Sequence, residues 1–247
     1  MLDYLAMTLV CLGYIDQGRS RMDEALSEAR RLQHVYTVGQ MLSFASLLDR
    51  LTGSPLMHLE ELQSLATEHN YPLLLAVALL IRGGSLIALG QAQEGLMLCT
   101  QALAKHRAMG HVIGTARVFA SLAVAHASLG QPDEARNCLA EAARIIETTD
   151  ERYQETEVLH RVQGDLLNAA GDQHAAEQHY HQAIVIAERQ SARLFQLRAS
   201  TSLARLWRDQ GRRTEAYDLL VPIYGWFAEG FDAPVLKEAK ALLDELA

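Results

Sequence analysis

The feature that most constrains this chain is a glycine that recurs about every 40 residues, followed four or five positions later by a small residue, often as Glu-Ala. A fixed period of roughly 20–50 residues is typical of solenoids and other repeat architectures. One interval, between Gly13 and Gly90, is double, and a degenerate unit around Thr52-Gly53 fills it. The sequence therefore predicts about six repeated units. Their glycines are Gly13, Gly53, Gly90, Gly130, Gly171 and Gly211.

Each unit is predicted to be a helical hairpin with the glycine in its turn. Apolar residues recur at helical spacing before the glycine, as in Leu197, Leu203 and Trp207, and again after it, as in Ala216 and Leu219. Glycine suits the turn because it adopts a left-handed helix cap without a Cβ clash. Only 5 prolines and a 6% aromatic content, with Ala and Leu at most apolar positions, favour helices over strands.

This spacing resembles the tetratricopeptide repeat. The fourth and fifth units match its small residues, turn glycine and following alanines at Ala123, Gly130, Ala135, Leu139 and Ala142, and at Gly164, Gly171, Ala176, Tyr180 and Ala183. The units are longer than the family's usual length of about 34 residues. The resemblance implies an all-α fold: a right-handed superhelical solenoid of about six hairpins with a C-terminal capping helix.

We expect a single repeat domain over residues 1–247, with a distinct last segment. The units are approximately 1–34, 35–70, 71–110, 111–149, 150–191 and 192–231, and the capping helix is 232–247. Asp232 is expected to cap that helix and Pro222 to kink the one before it. The kink should bring together four aromatic side chains, either as an end-plug for the core or as an exposed docking patch. They are Tyr224, Trp226, Phe227 and Phe231.

A wider resemblance covers most of the chain. The segments Leu65–Glu68, Leu159–Leu167, Thr201–Gly211, Tyr224–Phe227 and Lys237–Lys240 are similar to the C-terminal repeat region of large bacterial signalling proteins. Such proteins join a class III cyclase or a DNA-binding activator domain to a signal-transduction ATPase. The sequence has no Gly-x-x-x-x-Gly-Lys-Ser/Thr phosphate loop. The resemblance therefore implies that this chain corresponds to the interaction or sensor portion of such a protein, either as a fragment or as a stand-alone relative.

Charge and hydropathy disfavour nucleic-acid and membrane binding. The formal net charge is −8, which gives no general attraction for phosphate backbones. The longest apolar run, Pro72 to Ile81, is well short of the roughly 20 residues of a membrane-spanning helix. Three scattered cysteines do not form a disulfide framework, and no secretory signal is evident at the start. We expect a cytoplasmic protein.

No pattern indicates catalysis, a metal or a cofactor. A Gly-x-Ser-x-Gly elbow is lacking, and Cys11, Cys99 and Cys138 are interpreted as small hydrophobic residues. His174, Glu177 and His181 would share a helix face, but their register predicts a solvated convex surface rather than a metal site. His106 and His111 are likewise expected at the surface. The sequence predicts a non-catalytic protein.

The concave groove is the predicted binding surface. In tetratricopeptide arrays the first helix of each hairpin lines this surface, and the register places a basic set there in the last three units. Earlier units supply mainly apolar residues at equivalent positions, so the groove should change from apolar to basic along the array. The apolar residues are Met7, Val10, Leu80, Ile87 and Ala88. The residues of the basic set are Arg117, Arg161, Asp165, Asn168, Arg198, Arg205 and Arg208.

Arginines so placed bind carboxylates in a bidentate manner, which predicts a protein or peptide partner of acidic character. One alternative is structural: Asp165 and Arg205 lie one period apart and could pair between adjacent helices. The other is a small-ligand sensor that controls attached cyclase, ATPase or transcription domains. An open groove favours a peptide, whereas a closed pocket with convergent polar groups favours a small ligand.

Overall fold

The computed structural model describes residues 1–110, 114–149 and 152–247, and the side chains of these except 152–156. Within these ranges the chain forms thirteen α-helices and no strand, as the composition predicts. They are α1 (Leu2–Leu12), α2 (Ile15–Arg31), α3 (Val35–Thr52), α4 (Leu59–Glu68), α5 (Pro72–Ala88), α6 (Ala92–Ala108), α7 (Thr115–Ser128), α8 (Pro132–Thr148), α9 (Arg152–Ala169), α10 (Gln173–Arg189), α11 (Arg193–Asp209), α12 (Arg213–Tyr224) and α13 (Pro234–Leu246).

The first twelve helices pair in sequence as six antiparallel hairpins, and each hairpin packs against the next. The terminal helix α13 packs against α11 and α12. The fold is thus an all-α solenoid of tetratricopeptide-like hairpins, as the glycine period predicts. Because each hairpin buries its apolar face only against its neighbours, the core runs along the array.

The turn within each hairpin contains a glycine in the left-handed conformation, and this is also true of the degenerate unit at Gly53. A side chain with a Cβ is disfavoured at such angles, so the repeated glycine is a backbone requirement. The φ angles are 99° at Gly13, 76° at Gly53, 82° at Gly90, 73° at Gly130, 86° at Gly171 and 80° at Gly211.

The repeat signature also marks close helix contacts. A Cβ at Gly164 of α9 would lie 2.6 Å from the Tyr180 ring of α10, so the glycine admits the aromatic side chain. Tyr180 is 2% exposed, and Ala176 and Ala183 beside it are fully buried. Two helix starts differ in how they are capped: Gln131 occupies the N-cap position of α8 before Pro132 without a side-chain cap hydrogen bond, whereas the Asp172 carboxylate accepts a hydrogen bond from the Ala175 amide at 3.1 Å.

Turns between hairpins follow a different rule. Gln33, Asn70 and Ser191 occupy these turns with φ of 54°, 52° and 56°. Non-glycine residues adopt this region at a cost, and of these three only asparagine belongs to the residue types that are enriched there. The glycine period therefore marks the turn inside the hairpin, whereas the turn between hairpins accepts other residues.

The end of the chain returns to its beginning. The segment 225–233, which we call the closing segment, connects α12 to α13 and contacts the first hairpin. Trp226 and Phe227 pack on the Gly13 turn, and α11 contacts α1. The array is therefore closed end to end, which the sequence did not predict.

The last segment differs from expectation in two details. The residue at the N-cap of α13 is Ala233, not Asp232. The Asp232 carboxylate instead accepts a hydrogen bond from Arg19 of α2 at 2.8 Å. The four aromatic residues form two ring pairs rather than one cluster: Trp226 with Phe227, and Tyr224 with Phe231. Pro222 does lie inside α12. Phe227 is buried, as an end-plug would be, whereas Trp226 and Phe231 are exposed.

Candidate binding cavity

A cavity of about 700 Å³ opens on the concave side of the array. The first helices of hairpins two to six line it, together with the turn after α3 and the start of α13. Its wall is partly apolar and partly basic. The lining residues are Arg50, Leu51, Gly53, Ser54, Pro55, Leu56, Gly84, Ser85, Ile87, Ala88, Leu89, Arg117, Ala120, Ser121, Val124, Val158, Arg161, Val162, Asp165, Arg198 and Pro234.

Four arginines converge on this cavity, each from a different first helix. Arg50 extends from α3, Arg117 from α7, Arg161 from α9 and Arg198 from α11. The register predicts the last three as groove residues but not Arg50, because the early units were expected to supply mainly apolar residues there. The signal was available: Arg50 lies three residues before Gly53, as the groove residue Ile87 lies three before Gly90.

The other predicted groove residues lie elsewhere. Asn168, Arg205 and Arg208 are not part of the cavity wall. Arg205 forms an ion pair with Glu238, and Arg208 donates a hydrogen bond to Glu245 at 2.9 Å. Both acids belong to α13, which packs against α11 here. The basic groove is therefore shorter than the register predicts, since α13 occupies its end.

Asp165 holds Arg161 in the cavity wall. Its carboxylate accepts a hydrogen bond from Arg161 at 2.7 Å and another from the Tyr180 hydroxyl at 2.9 Å. Burial and the nearby negative charge raise the pKa of Tyr180, so the phenol stays a neutral donor. Asp165 thus pairs with Arg161 and Tyr180, and Arg205 pairs with Glu238, in place of the alternative Asp165–Arg205 pair. Tyr180, a signature residue of the repeat, thus connects the helix packing to the position of a cavity arginine.

Arg50 reaches the cavity across a glycine. A Cβ at Gly84 of α5 would lie 2.5 Å from Nη2 of Arg50, so a side chain there would displace the guanidinium from its present position. The Arg50 guanidinium also donates to the Ser121 hydroxyl at 3.4 Å, and that hydroxyl donates to the Arg117 carbonyl at 3.1 Å. Gly84 and Ser121 therefore orient Arg50 beside Arg117.

Arg198 experiences the combined positive charge of the cluster. Burial and, to a smaller extent, the positive charges of Arg161, Arg50 and Arg117 lower its pKa to about 9, while the carboxylate of Glu157 opposes them. Glu157 is 1% exposed. Arg198 itself is half-buried in the cavity wall. Its guanidinium still remains protonated at neutral pH, since that pH is well below 9.

The cavity wall is rich in guanidiniums. Among the described residues, Arg50, Arg117, Arg161 and Arg198 line it together with one carboxylate, Asp165, and the positive charges of the first three act on Arg198. Preorganised guanidiniums in a partly desolvated cleft attract anions more strongly than exposed ones do. Carboxylates and phosphates are the groups that this arrangement can bind.

The other predicted surfaces change in detail. His174 and His181 are exposed, as predicted, whereas Glu177 between them is half-buried: its carboxylate accepts hydrogen bonds from Trp207 at 2.8 Å and Arg212 at 3.1 Å. In the part of the chain that the structure describes, no three His, Cys, Asp or Glu side chains could hold a metal ion. His106 is buried in α6 rather than exposed, and His111 lies outside the described residues.

The cysteines behave as packing residues where the structure describes their surroundings. Cys99 is fully buried against Gly83, and burial raises the pKa of its thiol to about 11. Burial also raises the pKa of Cys138. Neither is therefore an activated nucleophile.

Among the described helices, none has the length and apolar character needed to cross a membrane.

Comparisons with known proteins agree with this geometry. Residues 74–148, which span α5 to α8, match the family model of the tetratricopeptide repeat. Among curated proteins, no match was found. The fold is similar to BtubC (BKLC) from P. vanneervenii, with a TM-score of 0.54, 16% identity, and coverage of 94% of this chain and 89% of that one.

It is also similar to a Rap protein solved in complex with Competence and Sporulation Factor. Here the TM-score is 0.58 with 15% identity, and the alignment covers 99% of this chain and 78% of the other. At such identities the likeness shows the fold alone. Together with the matched repeats and the six glycine turns, it establishes that this chain is an all-α, tetratricopeptide-like solenoid.

Proposed function

We propose that this chain is a non-catalytic scaffold that binds an acidic segment of a protein or peptide partner in the arginine cavity. The observation that carries the proposal is the convergence of Arg50, Arg117, Arg161 and Arg198 on one concave surface. Tetratricopeptide scaffolds generally bind protein segments, and the similar Rap protein was solved with a bound factor. Both points support a peptide ligand.

The cavity wall suits an acidic residue with apolar neighbours. Carboxylates would bind at the guanidiniums, and apolar side chains would contact the surfaces of Leu51, Ile87, Val124 and Val158. A volume of about 700 Å³ lies in the range of pockets that enclose drug-sized ligands. We therefore expect a few residues of the partner to enter the cavity, with one or two carboxylates as the main anchors.

A second candidate function has an observation in its favour. The closing segment joins the two ends of the array, and Pro234 forms part of the cavity wall, so the site is more enclosed than an open groove. Enclosure with convergent charges favours a small anionic ligand. The chain would then sense that ligand and transmit the change to attached domains.

We further propose that the chain acts within bacterial signalling. This part rests on the resemblance of segments such as Thr201–Gly211 to the repeat region that follows a signal-transduction ATPase. The attached domain would be a cyclase or a DNA-binding activator. A cytoplasmic location belongs to the same proposal, since three scattered cysteines suit a reducing compartment.

The test compares arginines inside and outside the cavity. Labelled hexaglutamate is titrated against the full chain, with hexalysine as the charge control. Arg117→Gln and Arg198→Gln should each weaken hexaglutamate binding by about 10- to 100-fold, because a charge-assisted hydrogen bond is worth about 1.5–3 kcal/mol. Arg208→Gln is the matched control, since Arg208 lies on α11 with Arg198 but pairs with Glu245.

The outcomes separate the candidates. Equal weakening by all three variants would mean that net charge, not the cavity, attracts the peptide, and would contradict the proposal. Stabilisation of the chain by citrate or pyrophosphate, lost in Arg198→Gln, together with no hexaglutamate binding, would favour the small-ligand function. Binding should also weaken with salt, since the Debye length falls from about 10 Å at 0.1 M to about 3 Å at 1 M.

A further inference from the structure

The closing segment is bound to the first hairpin by polar contacts across more than 200 residues of sequence. The Glu229 carboxylate accepts hydrogen bonds from both the backbone and the side-chain amide of Gln17, each at 3.1 Å. The Gly230 amide donates to the Asp16 carboxylate at 2.9 Å. Asp232 accepts from Arg19 at 2.8 Å. These contacts involve side chains at or near the surface.

Apolar packing completes this end contact. Gly230 adopts a φ of 75°, and a Cβ there would lie 2.7 Å from Cβ of Ile15. Trp226 lies close to the Tyr14 ring, with centroids 5.4 Å apart, and the Arg193 guanidinium of α11 lies 5.6 Å from the Trp226 ring. The end contact therefore requires glycine at position 230 and brings α2, α11 and the closing segment together.

The same contact positions one wall of the arginine cavity. Arg19, which binds Asp232, also donates to the Ser54 hydroxyl at 3.0 Å, and Ser54 lines the cavity. Pro234, two residues after Asp232, lines the cavity as well and packs on Gly53. A break in the end contact would therefore displace both Pro234 and the turn at 53–56.

We propose that the end contact regulates the cavity: the closed array forms the complete anion site, and release of the closing segment removes one wall and weakens binding. For the ligand, this inference rests on the proposed function. Because a ligand that prefers the closed state must also stabilise that state, cavity occupancy and end contact are coupled reciprocally. The bistable element is the closing segment, and both the ligand and ionic strength bias its position.

Gly230→Ala tests the coupling without touching a cavity residue. The added methyl meets Ile15 and is strained at this φ. The matched control is Gly211→Ala, which carries the same left-handed strain at a φ of 80° but meets no atom within 4 Å. A second opening variant, Glu229→Ala with Asp232→Ala, removes two surface carboxylates and leaves the glycine in place.

Hydrogen exchange of the full chain, without ligand, gives the first readout. Both opening variants should speed exchange by at least about 10-fold at 225–232, and also at Gly53, Ser54 and Leu56 in the cavity wall. Gly211→Ala should leave these rates unchanged. Faster exchange at 225–232 with unchanged rates at 53–56 would overturn the inference, as would unchanged exchange at both segments in the opening variants.

Hexaglutamate titration gives the second readout. The opening variants should bind at least about 5-fold more weakly, the lower end of typical coupling between sites, and hexaglutamate should slow exchange at 225–232 in the unmodified chain by a similar factor. Equal affinity in open and closed chains would overturn the coupling. If the unmodified chain binds no hexaglutamate, the peptide function fails, and the exchange rates at 53–56 alone decide the inference.

Discussion

Removal of the Tyr180 hydroxyl should lower the free energy of unfolding by the contribution of its hydrogen bond to Asp165, the residue that positions Arg161 in the cavity wall. In Tyr180→Phe the ring keeps its packing on Gly164, and only the 2.9 Å hydrogen bond to Asp165 is lost. Hydrogen bonds to charged groups contribute about 1.5–3 kcal/mol. Asp165 keeps its bond to Arg161, and its side chain is 39% exposed, so water can replace the phenol. We therefore expect a loss of about 1.5 kcal/mol.

The measurement is urea unfolding followed by circular dichroism, supported by thermal melting. For a chain of this size, 1 kcal/mol corresponds to about 2–4 °C in Tm, so Tyr180→Phe should melt about 3–6 °C lower. Tyr217→Phe is the control, because Tyr217 is 38% exposed on α12. A double-mutant cycle with Asp165→Asn isolates the coupling between the two side chains. A loss below about 0.5 kcal/mol, or an equal loss in the control, would refute the reasoning.

Three further predictions concern pH, the turns and the last helix. Burial lowers the pKa of His160 and His179, so as pH falls the unfolded chain binds protons before the folded chain does. The free energy of unfolding should therefore decrease as pH drops below about 6.5. Urea unfolding at a series of pH values should show a smaller decrease in His160→Gln. Ser191→Gly should raise stability by up to about 1 kcal/mol in urea unfolding, because it relieves a φ of 56°. Deletion of 233–247 should expose the apolar end of α11 and α12 and lower Tm, and an unchanged melt would contradict the capping role of α13.

The fold was largely predictable because its signals are local. A glycine in the left-handed region and apolar residues at helical spacing depend on only a few neighbouring residues, so the period of about 40 residues predicts the hairpins directly. The degenerate unit at Gly53 follows the same rule, with a φ of 76°. The packing of Tyr180 on Gly164 could likewise be inferred from the repeat signature.

The site was predicted in part. Arg117, Arg161, Asp165 and Arg198 lie in the cavity wall, as expected from the register, although their role in binding a partner stays a prediction. Asn168, Arg205 and Arg208 occupy comparable first-helix positions but lie outside it. Two of these contact α13 instead. Register places a residue on a face of its own helix, but it does not tell which other element covers that face.

The sequence alone determined the hairpins and their number, because backbone angles and helical periodicity are properties of short segments. Only the tertiary structure decided that the ends meet, that α13 covers part of the groove and that Arg50 joins the later arginines. Those outcomes depend on small rotations accumulated over six hairpins and on contacts such as Asp232 with Arg19, 213 residues apart. No local pattern records them, since each residue of such a pair is compatible with many partners.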